Sequence, residues 1–374
     1  MLLLATEVWS HGGIQRYMKV ILRIAKTHQQ PCDVLSVLDN AGITAPSDSV
    51  YIGCEGSKSL FCFEAVGLAL RGKARNIIVG HVGLLPVAWI LRMAGATDEY
   101  TLVLHGIEAW RRLGLIQRFA AQGAKSVIAT TAYTAREFCY FNEIDFGRCA
   151  VIPLAGDMQT RQFTRPAPER ELQLMTVSRL SAADRYKGFD CILEAMRLGL
   201  DSGLPLKLQI IGTGNDLERL RDLAISLGIQ DQVRFRGALT DAELEQVYSE
   251  SHVFVMPSKK EGFGIVYLEA MAAGLPCIAA NHGGVPEVVE HGEAGFLVEY
   301  GDTAQIVFYL RALLESPELY DSLSQGARRR AGQDLGFAAM ADSWTKLFKQ
   351  PEPGVNLGGV PDRKQGPEIV AREH

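Results

Sequence analysis

Short apolar runs alternate along the chain with longer segments whose apolar residues recur every three or four positions. The run 2–5 leads through Gly12 and Gly13 into a stretch with Tyr17, Val20, Ile21, Ile24 and Ala25 on one side. That is strand, glycine turn and helix. The same reading predicts strands at 33–38, 77–80, 101–104, 126–130 and 151–154. Helices are predicted at 86–93, at 113–122 and after Thr131 and Thr134, which suit capping positions. Residues 158–171 hold two prolines and few apolar positions, so they read as a linker. A second series follows, with strands at 172–177, 206–211, 233–235, 252–256, 277–280 and 295–298. Between them fall helices after Asp190 and at 216–227 and 241–249, the last opened by a Thr240/Glu243 capping box. Another helix runs from Ile265 past Ala273 and stops at Gly274-Leu275-Pro276. Helices at 302–314, 319–331 and 337–348 end the ordered pattern. Two rounds of strand–helix alternation predict an α/β protein with two parallel sheets.

The length of 374 residues fits two domains. The predicted division is a first domain over 1–157, the linker 158–171 and a second domain over 172–334. A returning helix at 335–350 and a Pro/Gly/charge-rich tail at 351–374, expected to be disordered, complete it. The seven cysteines are odd in number and lack CxxC spacing, which predicts reduced thiols, a cytoplasmic setting and no metal site. The opening MLLLATEVW is too short and too uncharged for a signal peptide. No apolar run approaches the roughly 18 residues of a membrane span. Through Ala155 there are 15 Lys+Arg against 12 Asp+Glu; the remainder has 23 against 31. A mildly basic first half is compatible with anionic lipid or a phosphate-bearing partner, and equally with ordinary scatter. Nothing in it calls for nucleic acid.

Candidate chemistry collects where strands end. The run 252–256 stops at Pro257 and is followed by Glu261-Gly262-Phe263-Gly264. Glu261 and Glu269 lie eight apart, one in that loop and one a turn into the next helix. Both can face the crevice at a strand's carboxyl end, where open α/β sheets bind ligands. Two carboxylates there suit the vicinal hydroxyls of a sugar or ribose; they also suit solvated charges at a helix start. Arg179 and Lys187 flank the loop after strand 172–177, and two cations so placed suit a diphosphate, or are simply exposed. His105 and His81 each follow a strand and face either the crevice or a structural partner. The Gly212-Thr213-Gly214 turn lacks the GxGxxG spacing of a dinucleotide site. No D-x-D triplet occurs, so no bound divalent metal is expected.

These residues together resemble the family 4 glycosyltransferases, the retaining group with the GT-B fold, over roughly 1–348. The likeness is carried by Arg179 with Lys187-Gly188, by EGFGIVYLE at 261–269 and by GGVPE at 283–287. GGIQR at 12–16 and the His105-Gly106 pair extend it into the first half. The resemblance implies two Rossmann-like domains facing across a cleft, the second holding a nucleotide-diphosphate sugar and the first an acceptor. It implies that Arg179 and Lys187 hold the diphosphate and Glu269 the ribose. Glu261, with Gly262, Phe263, Gly264, Ile265 and Val266, would hold the sugar. Gly13 and Gly212 would lie near the donor, Ala238 and Leu239 would border the base, and His105 would sit by the reacting sugar. With Arg179, Lys187 and Glu261, His105 makes up the expected catalytic set. The implied activity is retaining transfer of a hexose, from GDP-mannose or a UDP-hexose, without a metal cofactor. The implied acceptor is a glycan on a polyprenyl diphosphate, in cell-surface polysaccharide or lipopolysaccharide synthesis, with peripheral contact to the inner face of the membrane. A sugar-nucleotide epimerase of the same fold and a non-catalytic nucleotide-sugar-binding protein are the alternatives. The first half is short for the family, which leaves the acceptor site undefined.

Overall fold

The computed structural model describes residues 1–10, 12–42, 49–155, 168 and 171–349. The first half runs β1 (Leu2–Ala5), α1 (Gly13–Thr27), β2 (Asp33–Ser36), β3 (Tyr51–Gly53), α2 (Lys58–Leu70), β4 (Asn76–Val79), α3 (Leu85–Met93), β5 (Glu99–Leu104), α4 (Leu115–Gly123), β6 (Ser126–Ala129), α5 (Ala132–Asn142) and β7 (Cys149–Val151). The second runs β8 (Leu172–Val177), α6 (Phe189–Asp201), β9 (Leu206–Ile211), α7 (Leu217–Ser226), β10 (Val233–Gly237), α8 (Asp241–Glu250), β11 (Val253–Met256), α9 (Ile265–Ala272), β12 (Cys277–Ala280), β13 (Gly295–Val298), α10 (Thr303–Glu315), α11 (Pro317–Arg329) and α12 (Phe337–Lys349).

The strands form two sheets, ordered β3-β2-β1-β4-β5-β6-β7 and β10-β9-β8-β11-β12-β13. Every recorded pairing is parallel, including β1 with β2 and β4, and β8 with β9 and β11. Strands buried on both faces must be apolar throughout. Leu2 to Leu4 and Val253 to Met256 are accordingly fully buried. Strand order reverses direction between β1 and β4 and between β8 and β11, and each reversal opens a crevice at the carboxyl ends. The two-sheet architecture is that of the GT-B fold.

Thr131 and the Thr240/Glu243 pair cap as expected, whereas Thr134 lies inside α5 and does not cap it. Thr131 accepts from Thr134 N at 3.1 Å, and Thr240 and Glu243 close the capping box. The strand predicted at 151–154 lies instead at Cys149–Val151, because Pro153 cannot extend a ladder. β3 and α2 had no predicted counterpart. All seven cysteines are free thiols. α12 returns to the first half, where Trp344 meets Tyr17 edge-on at 6.4 Å and Met340 Sδ accepts from Ala155 N. Most of the linker 158–171, and all of the tail 351–374, lie outside the described residues.

Candidate active site

The loops after β1, β5, β8 and β11 enclose one cavity of about 410 Å³. Gly12, Gly13 and Ile14 contribute the start of α1, and His105 to Glu108 follow β5. The third wall is Ser178, Arg179, Asp184, Tyr186 and Lys187, and the fourth is Glu261 to Val266. Each wall is a strand's carboxyl-terminal loop, so both halves supply the site.

The fourth wall depends on glycine. A Cβ on Gly262 would lie 2.5 Å from Gly106 Cα and 2.6 Å from the His105 carbonyl. The EGFG and His105-Gly106 loops therefore meet backbone against backbone. Thr131 adds a hydrogen bond to the Gly262 carbonyl at 3.2 Å.

The charged groups are paired. Lys187 Nζ donates to Glu261 Oε2 at 2.6 Å, and both side chains are largely covered. Arg179 is exposed but held through Nε and Nη2 by Asp184 Oδ2, at 2.8 and 2.7 Å. Tyr186 OH donates to the other Asp184 oxygen at 3.1 Å. Arg185, in the same turn, is tied to Asp216 at 3.1 Å. Hydrogen bonds from Arg219, with those from Arg185, hold the Asp216 carboxyl below its usual range. The turn Ala182–Lys187, which ends on Lys187 and whose Asp184 holds Arg179, is thus fastened to the start of α7.

His105 Nε2 lies 3.0 Å from the Gly80 carbonyl. A carbonyl only accepts, so Nε2 carries the proton. Burial lowers the ring's affinity for a second proton, outweighing the nearby Glu108 carboxylate. Tyr17 packs edge-on against the ring at 5.3 Å. A neutral, fixed imidazole can orient a hydroxyl.

Of the sequence-predicted residues, the cavity gathers Gly13, His105, Arg179, Lys187, Glu261, Gly262, Phe263, Gly264, Ile265 and Val266. Gly212, Ala238, Leu239 and Glu269 are not in its lining. Gly212 sits beneath it; a Cβ there would fall 1.8 Å from the Ser178 carbonyl, so this glycine lets β9 end against the Arg179 loop. Ala238 is exposed and Leu239 packs on the core. Glu269 accepts from Arg16 of α1 at 2.7 Å and from Tyr248 OH at 3.3 Å, which makes it a bridge between the halves. Asp184, Tyr186 and Tyr17 were not singled out. Asp184 and Tyr186 lie in the loop between Arg179 and Lys187, the one sequence signal that points to them.

A second bridge uses the GGVPE stretch. Glu287 accepts from Ala132 N and Tyr133 N at 2.6 and 2.8 Å, capping α5 of the other half. Burial nonetheless holds its carboxyl above the usual range.

Residues 157–330 match the family described as glycosyl transferases group 1. A D-inositol 3-phosphate glycosyltransferase of Streptomyces avermitilis is 33% identical over 265 residues, which cover 64% of this chain and 55% of the relative. An uncharacterized glycosyltransferase of Haemophilus influenzae is 34% identical over 179 residues, 48% of this chain and 50% of the relative. The chain thus spans about half the length of the curated relatives it matches. Among solved structures, Anabaena HepE in complex with UDP aligns with a TM-score of 0.76 at 20% identity, covering 93% of this chain and 98% of that one. Sucrose-phosphate synthase from Thermosynechococcus elongatus gives 0.75 at 20% identity with the same coverage. At that identity the likeness is one of fold.

Proposed function

We propose, from the match of residues 157–330 to the glycosyl transferases group 1, that the whole chain transfers a hexose from a nucleotide-diphosphate sugar to a glycan acceptor. The observation that carries the reading is the covered Lys187–Glu261 pair facing His105 and the start of α1 across one cavity. Breaking a sugar–diphosphate bond builds negative charge on the leaving phosphate. Lys187, and Arg179 aimed by Asp184, would stabilise that charge most in the transition state. A diphosphate oxygen competing for Lys187 would release Glu261 to accept from sugar hydroxyls, beside the backbone of Gly262 to Gly264. Neutral His105 would orient the sugar. Glu269 would take the ribose hydroxyls by exchanging its Arg16 partner.

The transfer is taken to retain anomeric configuration, with the leaving phosphate accepting the acceptor's proton, and no side chain is assigned as base. It is taken to need no metal. The donor is GDP-mannose or a UDP-hexose. The acceptor is a lipid-linked glycan of cell-surface polysaccharide synthesis, reached from the cytoplasmic side.

The test is an assay of nucleoside diphosphate release with GDP-mannose and UDP-hexoses, with simple glycans as acceptors, in buffer and in EDTA. Acceptor-dependent release from one donor series, unchanged by EDTA, is expected. No release from any donor, or interconversion of the sugar nucleotide without transfer, would overturn the reading.

A further inference from the structure

The sulfurs of Cys139 on α5 and Cys149 on β7 lie 3.2 Å apart, close enough for one thiol to donate to the other. A disulfide bond is about 2.05 Å long, so a shift of roughly 1 Å closes the gap. The fold brings the two together. α5 packs on β7, and Ala135, Phe138 and Cys139 lie on the buried side of that helix. Cys149 packs on the same core from the last strand of the first sheet. β7 is that sheet's edge, and Cys149 is only half-buried there, within reach of a small solute.

The other thiols differ. Cys32, Cys54, Cys191 and Cys277 are buried, and burial raises each above the ordinary thiol range. A buried thiol so raised is inert. Cys62 is exposed, on α2. Within the close pair, the hydrogen bond from Cys149 lowers Cys139 against the effect of burial, while Cys149 is raised. Arg148, anchored to the carbonyls of Gln122 and Ala124, favours the Cys139 thiolate, and Asp145 opposes it. A thiolate beside a second thiol is the arrangement in which one sulfur attacks an oxidant and the other resolves the product.

We propose that Cys139 and Cys149 are an oxidation site, closed to a reversible disulfide by hydrogen peroxide. The Cys139 sulfur attacks one peroxide oxygen. The O–O bond breaks, and the departing hydroxide takes the thiol's proton to become water, leaving a sulfenic acid on Cys139. The Cys149 sulfur then attacks the Cys139 sulfur. The S–S bond forms, the S–O bond breaks, and the hydroxyl leaves as water with the Cys149 proton. Two thiols lose two electrons and one peroxide becomes two waters. The bridge would fasten α5 to β7. α5 is the helix that Glu287 caps from the other half, and its Asn142 holds the Leu113 amide in the chain that follows His105. The inference uses none of the cavity residues and stands whether or not the chain transfers sugars.

The test exposes the full chain, as wild type and as Cys62→Ser, to hydrogen peroxide, then denatures and alkylates it for mass spectrometry and peptide mapping. Both proteins should lose two alkylatable thiols, yield a peptide joined through Cys139 and Cys149, and regain both thiols in dithiothreitol. Cys149→Ser keeps a hydroxyl donor but no resolving sulfur. It should leave a sulfenic acid on Cys139 that dimedone labels. Cys139 and Cys149 still alkylatable after peroxide has modified Cys62 in wild type would overturn the proposal. So would their conversion to sulfinic acids without a bridge, or a bridge from either one to a different cysteine. A dimedone label on Cys149 in Cys139→Ser, with none on Cys139 in Cys149→Ser, would overturn the order of the two steps.

Discussion

Lys187 and Glu261 illustrate what single residues do here. Each is the other's partner at 2.6 Å in a largely covered place, where an unpaired charge would be costly. Their types and their positions at strand ends were readable in the sequence. Their pairing was not, because residues 74 apart meet only once β8 and β11 lie side by side. Asp184 was unreadable for a related reason. It follows Arg179 by five residues, and only the 3-10 turn Ala182–Lys187 swings its carboxylate back onto the guanidinium. His105 leads to a pH prediction. Burial lowers its pKa in the folded chain, whereas an unfolded histidine titrates near 6.5. The unfolded chain therefore binds a proton that the native state resists, so stability is full above about pH 6.5 and falls as pH drops below it. His81 and His282 shift in the same direction, mainly through burial. The melting temperature of wild type should fall between pH 7.5 and 5.5, and that of His105→Gln should fall less over the same range. Equal falls would remove His105 from the effect.

At the scale of elements, periodicity was readable wherever one face is wet. α1 has Tyr17, Ile21 and Ile24 buried in a row, and the pattern predicted it. α2 escaped because it buries one apolar face and exposes another, so no period of 3.6 separates them. β3 has three residues, too few to alternate visibly. GGVPE was readable as part of a family motif, yet its glutamate acts on an element far away in sequence, as the cap of α5. Removing a side-chain cap costs about 1 kcal/mol. Glu287→Ala should therefore lower the melting temperature by a few degrees. It should also raise the Michaelis constant for the sugar nucleotide, because this cap joins the two halves. A variant with unchanged melting temperature and unchanged kinetics would show that the cap contributes nothing.

At the scale of the whole molecule, two parallel sheets turn their crevices toward each other. Among the contacts that join them are the Arg16–Glu269 ion pair, the Glu287 cap, the Thr131 hydrogen bond to the Gly262 carbonyl, and the glycine-to-glycine approach of Gly106 and Gly262. The two-domain α/β architecture was readable from the doubled strand–helix alternation. The bridges were not, since they depend on how the halves meet. Among the described residues no helix is long and apolar enough to cross a membrane. The proposed function requires that the second half hold a sugar-nucleotide diphosphate through Lys187. Isothermal titration of GDP-mannose and UDP-hexoses into wild type and Lys187→Ala, in EDTA, tests it most directly. Saturable binding of one donor series to wild type is expected, with at least about a tenfold loss in Lys187→Ala, the size of a charge-assisted phosphate contact. Binding of the donor to Lys187→Ala with unchanged affinity, or no binding of any sugar nucleotide to wild type, would contradict it.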